Sequence, residues 1–328
     1  MGINLLVTGG AGFIGSNLVE KYLNDDRVDL VRVVDDLSNG YYENIEEFEV
    51  HPKFEFIKGD ICDYAVCTEA MRGIHKVTHQ AALGSVPRSI ENPARTNEVN
   101  VGGTVNILHA AKAAGVDRVV LAFSSSTYGD SAELPKVEER IGRPLSPYAV
   151  SKYAAELYAE VFARTYGLNY VGLRYFNIFG PRQNADNPYA AVIPIFCKAF
   201  IEDRQPHILG DGSTSRDFTF VANALHANDL ALFTDNKAAL NQVYNVACGE
   251  QVSLNQMVDM LRHITGKNIQ ATYGPERPGD VKHSKADISK IQRHLGYTPR
   301  VRMMEGLKSV YEYNLRKYAA EIAGNTKY

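Results

Sequence analysis

The stretch Thr8-Gly9-Gly10-Ala11-Gly12-Phe13-Ile14-Gly15 decides how the rest of the chain is read. An apolar run over 3–8 leads into it, and helix-period spacing follows over 13–24. Gly10, Gly12 and Gly15 fit the spacing G-x-G-x-x-G. Without a Cβ the turn is tight, the backbone approaches a pyrophosphate, and the third glycine lets helix and strand pack together. The free N–H groups of the helix start then point at phosphate oxygens. Asp35 ends the next apolar run, twenty residues beyond Gly15. A carboxylate there accepts hydrogen bonds from an adenosine ribose and repels a 2′-phosphate, which favours NAD over NADP. Asp60, after the third run, suits either an adenine contact or an ordinary turn.

Working outward, further strands are expected at 30–34, 54–57, 76–80, 118–123 and 170–173. Helices are expected near 64–72, 98–114 and 147–166. This alternation predicts an α/β protein: a Rossmann-type doubly wound parallel sheet with a smaller α/β C-terminal substrate domain. The expected division is 1–176, with about 219–248, for the dinucleotide domain, and 177–218 with 249–328 for the substrate domain. Pro181, Pro188, Pro194 and Pro206 loosen the rhythm after residue 176. Ser253 with Gln256 three residues on reads as a capping box, and the tail from about Ala319 reads as frayed.

Bulk properties narrow the class. The 328 residues carry a net charge of −3, so no positive surplus serves a nucleic-acid backbone. Four cysteines, Cys62, Cys67, Cys197 and Cys248, form no Cys-x-x-Cys pair, which predicts reduced thiols in a cytosolic protein. No apolar run reaches the roughly 20 residues of a membrane span, and no secretory leader is read at the start. His75 and His79 are four apart, but a strand is expected over 76–80 and the two would form no helical pair, so no metal site is expected; His79 is taken as buried near the cofactor pocket.

Tyr148-Ala149-Val150-Ser151-Lys152 puts a phenol and an amine on one helix face. A tyrosine is a poor base at neutral pH, with an unperturbed pKa of about 10. A nearby ammonium and the positive nicotinamide ring stabilise the phenolate, which then takes a proton from a sugar hydroxyl as hydride leaves the same carbon. A hydroxyl of Ser124 is placed to bond the same sugar oxygen.

Together with Ser124-Ser125-Ser126-Thr127-Tyr128-Gly129 and Arg174-Tyr175-Phe176-Asn177, these motifs resemble the extended short-chain dehydrogenases/reductases over almost the whole chain. The nearest likeness is to the UDP-N-acetylglucosamine/UDP-N-acetylgalactosamine 4-epimerases. It is carried by Ala82-Leu83-Gly84-Ser85-Val86-Pro87-Arg88-Ser89-Ile90 and by Arg277-Pro278-Gly279-Asp280-Val281-Lys282-His283-Ser284.

The resemblance implies a six- or seven-stranded nucleotide-binding domain, tightly held NAD, and a homodimer joined by a four-helix bundle through the helices near 98–114 and 147–166. It implies cofactor contacts at Gly9, Gly12, Phe13, Ile14, Gly15, Asp35, Asp36, Asn39, Gly40, Asp60 and Ile61. Gln80, Ala81, Ala82, Asn100, Tyr148, Lys152 and Tyr175 complete that set. The sugar is implied at Gly84, Ser85, Ser124, Ser125, Ser126, Asn177 and Gln183, and the UDP at Ala191, Val192, Arg216, Arg277 and Asp280. Read on its own, either arginine suits a diphosphate or a neighbouring carboxylate: Asp211 or Asp217 for Arg216, Glu276 or Asp280 for Arg277.

Relatives that dehydrate their sugar carry an Asp-Glu pair where this chain has Ser125 and Ser126. Hydroxyls are poor proton-transfer groups, so epimerisation at C4 is favoured over elimination. Relatives restricted to UDP-glucose and UDP-galactose carry a tyrosine where this chain has Ser284, so room for an N-acetyl group is expected. The competing readings are a 4,6-dehydratase, a UDP-uronate enzyme of the same family, and a non-catalytic NAD sensor. The intact Tyr148/Lys152 pair argues against the last.

Overall fold

The computed structural model describes residues 2–184, 191–276 and 282–325. Seven parallel strands form one sheet. They are β1 (Ile3–Thr8), β2 (Val28–Asp35), β3 (Phe54–Lys58), β4 (Lys76–His79), β5 (Arg118–Ser124), β6 (Tyr170–Tyr175) and a seventh strand, Gln242–Val246. Their spatial order is seventh, β6, β5, β4, β1, β2, β3. The order reverses between β1 and β4, where Leu5 pairs with Lys76 and Thr8 with His79. Ligands of such sheets sit outside the carboxyl ends of the strands at that reversal.

Successive side chains of a strand face opposite sides. Leu5 and Val7 enter one core with Val120, Val171 and Leu173, while Leu6 enters the other with Val119 and Leu121. Both faces are therefore covered, which is why the strands read as near-continuous apolar runs. Helices α1 (Phe13–Leu23), α2 (Tyr64–Ala70), α3 (Val86–Glu91) and α4 (Pro93–Asn97) come first. α5 (Thr104–Ala114) and α6 (Pro147–Tyr166) follow.

The structure corrects the sequence reading in four places. The helix expected over 98–114 begins as a wider π turn, Glu98–Gly103, before α5. Gly103 lies so close to Ile61 that an added Cβ would sit 2.5 Å from its Cδ1. Helices α3 and α4 were not among the expected helices; each starts at or next to a proline, Pro87 and Pro93. Both prolines lie in a first turn, after the capping side chains of Ser85 and Asn92. Pro194 likewise falls in the first turn of α7 (Val192–Ile201), which needs no N–H there. The tail read as frayed runs on as helix to Asn325.

Beyond the main sheet, α8 (Val221–Phe233), α9 (Leu254–Thr265), α10 (Ser289–Leu295) and α11 (Met303–Asn325) alternate with three two-stranded pairings. The capping box holds as expected: Ser253 Oγ accepts from Gln256 N at 3.1 Å, and Gln256 Oε1 accepts from Ser253 N at 2.8 Å.

Candidate active site

A cleft of about 1110 Å³ opens along the carboxyl ends of β1, β2, β4, β5 and β6. The glycine-rich turn forms its floor. Gly9 has φ 68°, and a Cβ there would come within 2.6 Å of Ala81 N; a Cβ on Gly15 would meet Gly9 O at 2.0 Å. Gly12 caps α1 without a side-chain acceptor. The first-turn N–H groups, which no helix can satisfy internally, are left for a ligand's oxygens. This cradle, which a Cβ would fill, fits a dinucleotide pyrophosphate.

Beyond the glycine turn the cleft is lined by the carboxylates Asp35, Asp36 and Asp60, expected to meet ribose and adenine. Asp35 accepts from Ala11 N and Leu37 N, each at 2.9 Å, so it also braces the glycine turn. Burial pushes its pKa up, partly offset by those two bonds. Asp60 is held by Cys62 N at 2.8 Å and by Arg95 Nη2 at 2.8 Å. Arg95 also lies 3.9 Å from Asp36. The sequence reading did not single out Arg95; only tertiary packing brings it to the two aspartates.

The trio expected to be catalytic, Ser124, Tyr148 and Lys152, comes from β5 and α6. Ser146 caps α6, its side chain accepting from Ala149 N at 3.1 Å, and so aims the first turn at the end of β5. Burial raises the Tyr148 phenol pKa, and a hydrogen bond with Ser124 opposes the rise. Four residues on, Lys152 is buried and donates from Nζ to Ala122 O at 2.9 Å. Burial brings its pKa down to about 8, with the Glu156 charge opposing. Ser126 donates its N–H to Ser124 Oγ at 3.1 Å and its hydroxyl at 2.9 Å. A buried ion pair stiffens this turn from behind: Arg174 Nη2 meets Glu156 Oε2 at 2.7 Å, and Thr127 Oγ1 donates to Glu156 Oε1 at 3.3 Å.

Most of the expected residues line this cleft. Of the residues expected to meet the cofactor they include Phe13, Ile14, Asn39, Gly40, Ile61, Gln80, Ala81, Ala82 and Tyr175. Of those expected to meet the UDP-sugar they include Gly84, Ser125, Asn177, Ala191, Arg216 and Ser284. Gln183 lines it as well, and its Oε1 is buried without a hydrogen-bond partner among the described residues.

Three expected residues lie elsewhere. Asn100 is buried behind the wall, bonding Leu83 N at 2.8 Å and Ser151 Oγ at 3.0 Å. Ser85 caps α3, and Val192 begins α7, packed against the core. Arg277 and Asp280 fall outside the described residues. Of Arg216's suggested partners, Asp217 instead accepts from Cys248 N, Gly249 N and Ala286 N, while Asp211 accepts from Ser213. Arg216 donates from Nη1 to Ser215 O at 3.0 Å and Lys282 O at 3.2 Å.

His79 is buried between Thr8 Oγ1 at 2.7 Å and Thr104 Oγ1 at 3.0 Å, and burial drives its pKa to about 3. Among the described residues, no His/Cys/Asp/Glu cluster of metal-holding geometry occurs and no helix is long and apolar enough to cross a membrane.

Comparison with known proteins extends this geometry. Residues 6–310 match the family described as GDP-mannose 4,6 dehydratase. A UDP-glucose 4-epimerase of Mycolicibacterium smegmatis is 36% identical over 311 residues, covering 94% of this chain and 97% of that protein. A solved UDP-N-acetylglucosamine 4-epimerase from Methanobrevibacter ruminantium M1, in complex with UDP-N-acetylmuramic acid, superposes with TM-score 0.90 at 38% identity. The match covers 96% of this chain and 99% of that one. A UDP-glucuronic acid 4-epimerase from Bacillus cereus, holding UDP-glucuronic acid and NAD, gives TM-score 0.88 at 31% identity over 96% of this chain and 100% of that one.

Proposed function

Given that the chain belongs to the nucleotide-sugar branch of the extended short-chain dehydrogenases/reductases, we propose that it is an NAD-dependent 4-epimerase of UDP-N-acetylhexosamines. It interconverts UDP-N-acetylglucosamine and UDP-N-acetylgalactosamine through a 4-keto sugar. The observation that carries this reading is that Ser124, Tyr148 and the buried Lys152 line one cleft, with serines at 125 and 126 beside them.

NAD supplies the hydride acceptor and, later, the donor. Ser124 holds the sugar 4-oxygen while Tyr148 Oη takes its proton and afterwards returns it. In the chain alone, burial keeps the phenol protonated. The Lys152 ammonium and the positive charge of the oxidised cofactor are what bring the phenolate within reach at neutral pH. Ser125 and Ser126 provide no acid–base pair for removing water from C5 and C6, which separates this chain from a dehydratase. Arg216, with Arg277 outside the described residues, grips the diphosphate, and Asp280, also outside them, belongs to the UDP-holding set, so the hexose is free to turn over and accept hydride on its other face. Ser284 leaves room at C2 for the acetamido group.

The reading extends to assembly and location. Helices α5 and α6 form a homodimer through a four-helix bundle. Supporting this, α6 exposes Val150, Leu157, Tyr158 and Val161 on one stripe. The division into 1–176 with 219–248, and 177–218 with 249–328, is supported by the return of Gln242–Val246 to the main sheet. Four free thiols suit the reducing cytosol.

The test is incubation of the purified protein with UDP-N-acetylglucosamine, without added NAD, followed by NMR. The C4 epimer is the expected product. A 4-keto-6-deoxy sugar would overturn epimerisation, and absence of turnover across UDP-sugars would overturn the enzyme reading.

A further inference from the structure

Three lysine or arginine side chains are buried among the described residues: Lys152, Arg174 and Lys136. The first belongs to the catalytic trio and the second is paired with Glu156. Lys136 is 4% exposed, yet no carboxylate lies within ion-pairing distance among the described residues. Its ammonium donates to the carbonyl of Ser131. An ammonium has three N–H donors and accepts nothing, and an unpaired one is costly to bury. Burial lowers its pKa, and the charge of Glu133 opposes the fall.

Its position is not accidental slack in a loop. Lys136 N donates to Lys285 O at 2.7 Å, and Lys136 O accepts from Asp287 N at 2.9 Å and from Asn245 Nδ2 at 2.9 Å. The backbone is thus clipped to the segment that carries Ser284, and both residues line the cleft with Ser126 and Tyr128. Lys136 lines the cleft, and its ammonium, with one N–H given to Ser131 O, keeps donors for a group that accepts hydrogen bonds.

We propose that Lys136 is a specificity-determining residue whose ammonium receives an acyl oxygen carried by the hexose, either an amide carbonyl or a carboxylate. This rests on the nucleotide-sugar reading of the cleft. Hydroxyl-only hexoses offer no such oxygen, so the residue discriminates between sugars and leaves the UDP end untouched.

The test is equilibrium binding to the NAD-loaded protein of UDP, UDP-glucose, UDP-N-acetylglucosamine and UDP-glucuronate, for wild type and Lys136→Met. A charged hydrogen bond predicts about tenfold or greater loss for the acyl-bearing sugars, with UDP and UDP-glucose held within about threefold. Loss confined to UDP-N-acetylglucosamine supports the amide as the partner; loss confined to UDP-glucuronate supports the carboxylate. Parallel loss for all four ligands shows a purely structural lysine and overturns the proposal, as does no change for any. Should the methionine variant unfold, Lys136→Gln, which keeps a donor for Ser131 O, carries the same comparison. Binding needs no turnover. A protein that passes this test but leaves UDP-N-acetylglucosamine unconverted would overturn the epimerase and leave Lys136 standing.

Discussion

Ser284 is held in the cleft wall by its backbone, whose N–H donates to Ser215 O at 3.1 Å. The next residue toward the amino end, His283, bonds Ser215 Oγ through Nδ1 at 2.8 Å. A side chain at 284 therefore has little freedom to move aside, and its size translates into pocket size. Ser284→Tyr is expected to abolish turnover of UDP-N-acetylglucosamine while sparing UDP-glucose, read as kcat/KM for each. Equal retention of both activities would refute the pocket-size argument.

At the scale of elements, α6 has two working sides. Its inner side presents Lys152, Ala155, Glu156, Ala159 and Phe162 to the sheet and to neighbouring helices. Its outer side exposes Leu157 and Val161, at 46% and 42%. Leu157→Glu combined with Val161→Glu is expected to yield a folded monomer by light scattering, with NAD still bound. An unchanged mass would refute the bundle. The same scale shows what the sequence made legible. The first turn, α1 and the Tyr148/Lys152 face depend on residues near each other in the chain, and period and glycine spacing report them directly. Helices α3 and α4 were hidden because proline at a helix start looks like proline in a loop. Arg95 and Lys136 were hidden for another reason. Arg95 meets Asp60 across 35 positions, and Lys136 meets the Ser284 segment across about 150, so no local pattern marks either.

For the whole molecule, two buried titrating groups pull stability in opposite directions with pH. His79 stays neutral down to about pH 3, so below its ordinary value of 6.5 the unfolded chain alone takes up that proton and stability falls. Asp217 is the reverse: burial lifts its pKa from 3.8 to about 6. Its stabilising contribution is present at low pH and is lost as pH rises through about 6. Comparing urea unfolding of the wild type with Asp217→Asn isolates that contribution. Between roughly pH 6 and 4 the difference is expected to move in the wild type's favour by about 1.4 kcal/mol per pH unit; a flat difference would refute the assignment. The strand Gln242–Val246 has a consequence of a different kind. It pairs with β6, Tyr244 opposite Leu173, after the chain has left the main sheet and come back. Cutting the gene after residue 176 would strip β6 of that neighbour and leave a bare, apolar, aggregation-prone margin. Grafting the sugar-reading half of one relative onto another therefore calls for three splice points, so that residues 242–246 stay with the sheet they complete.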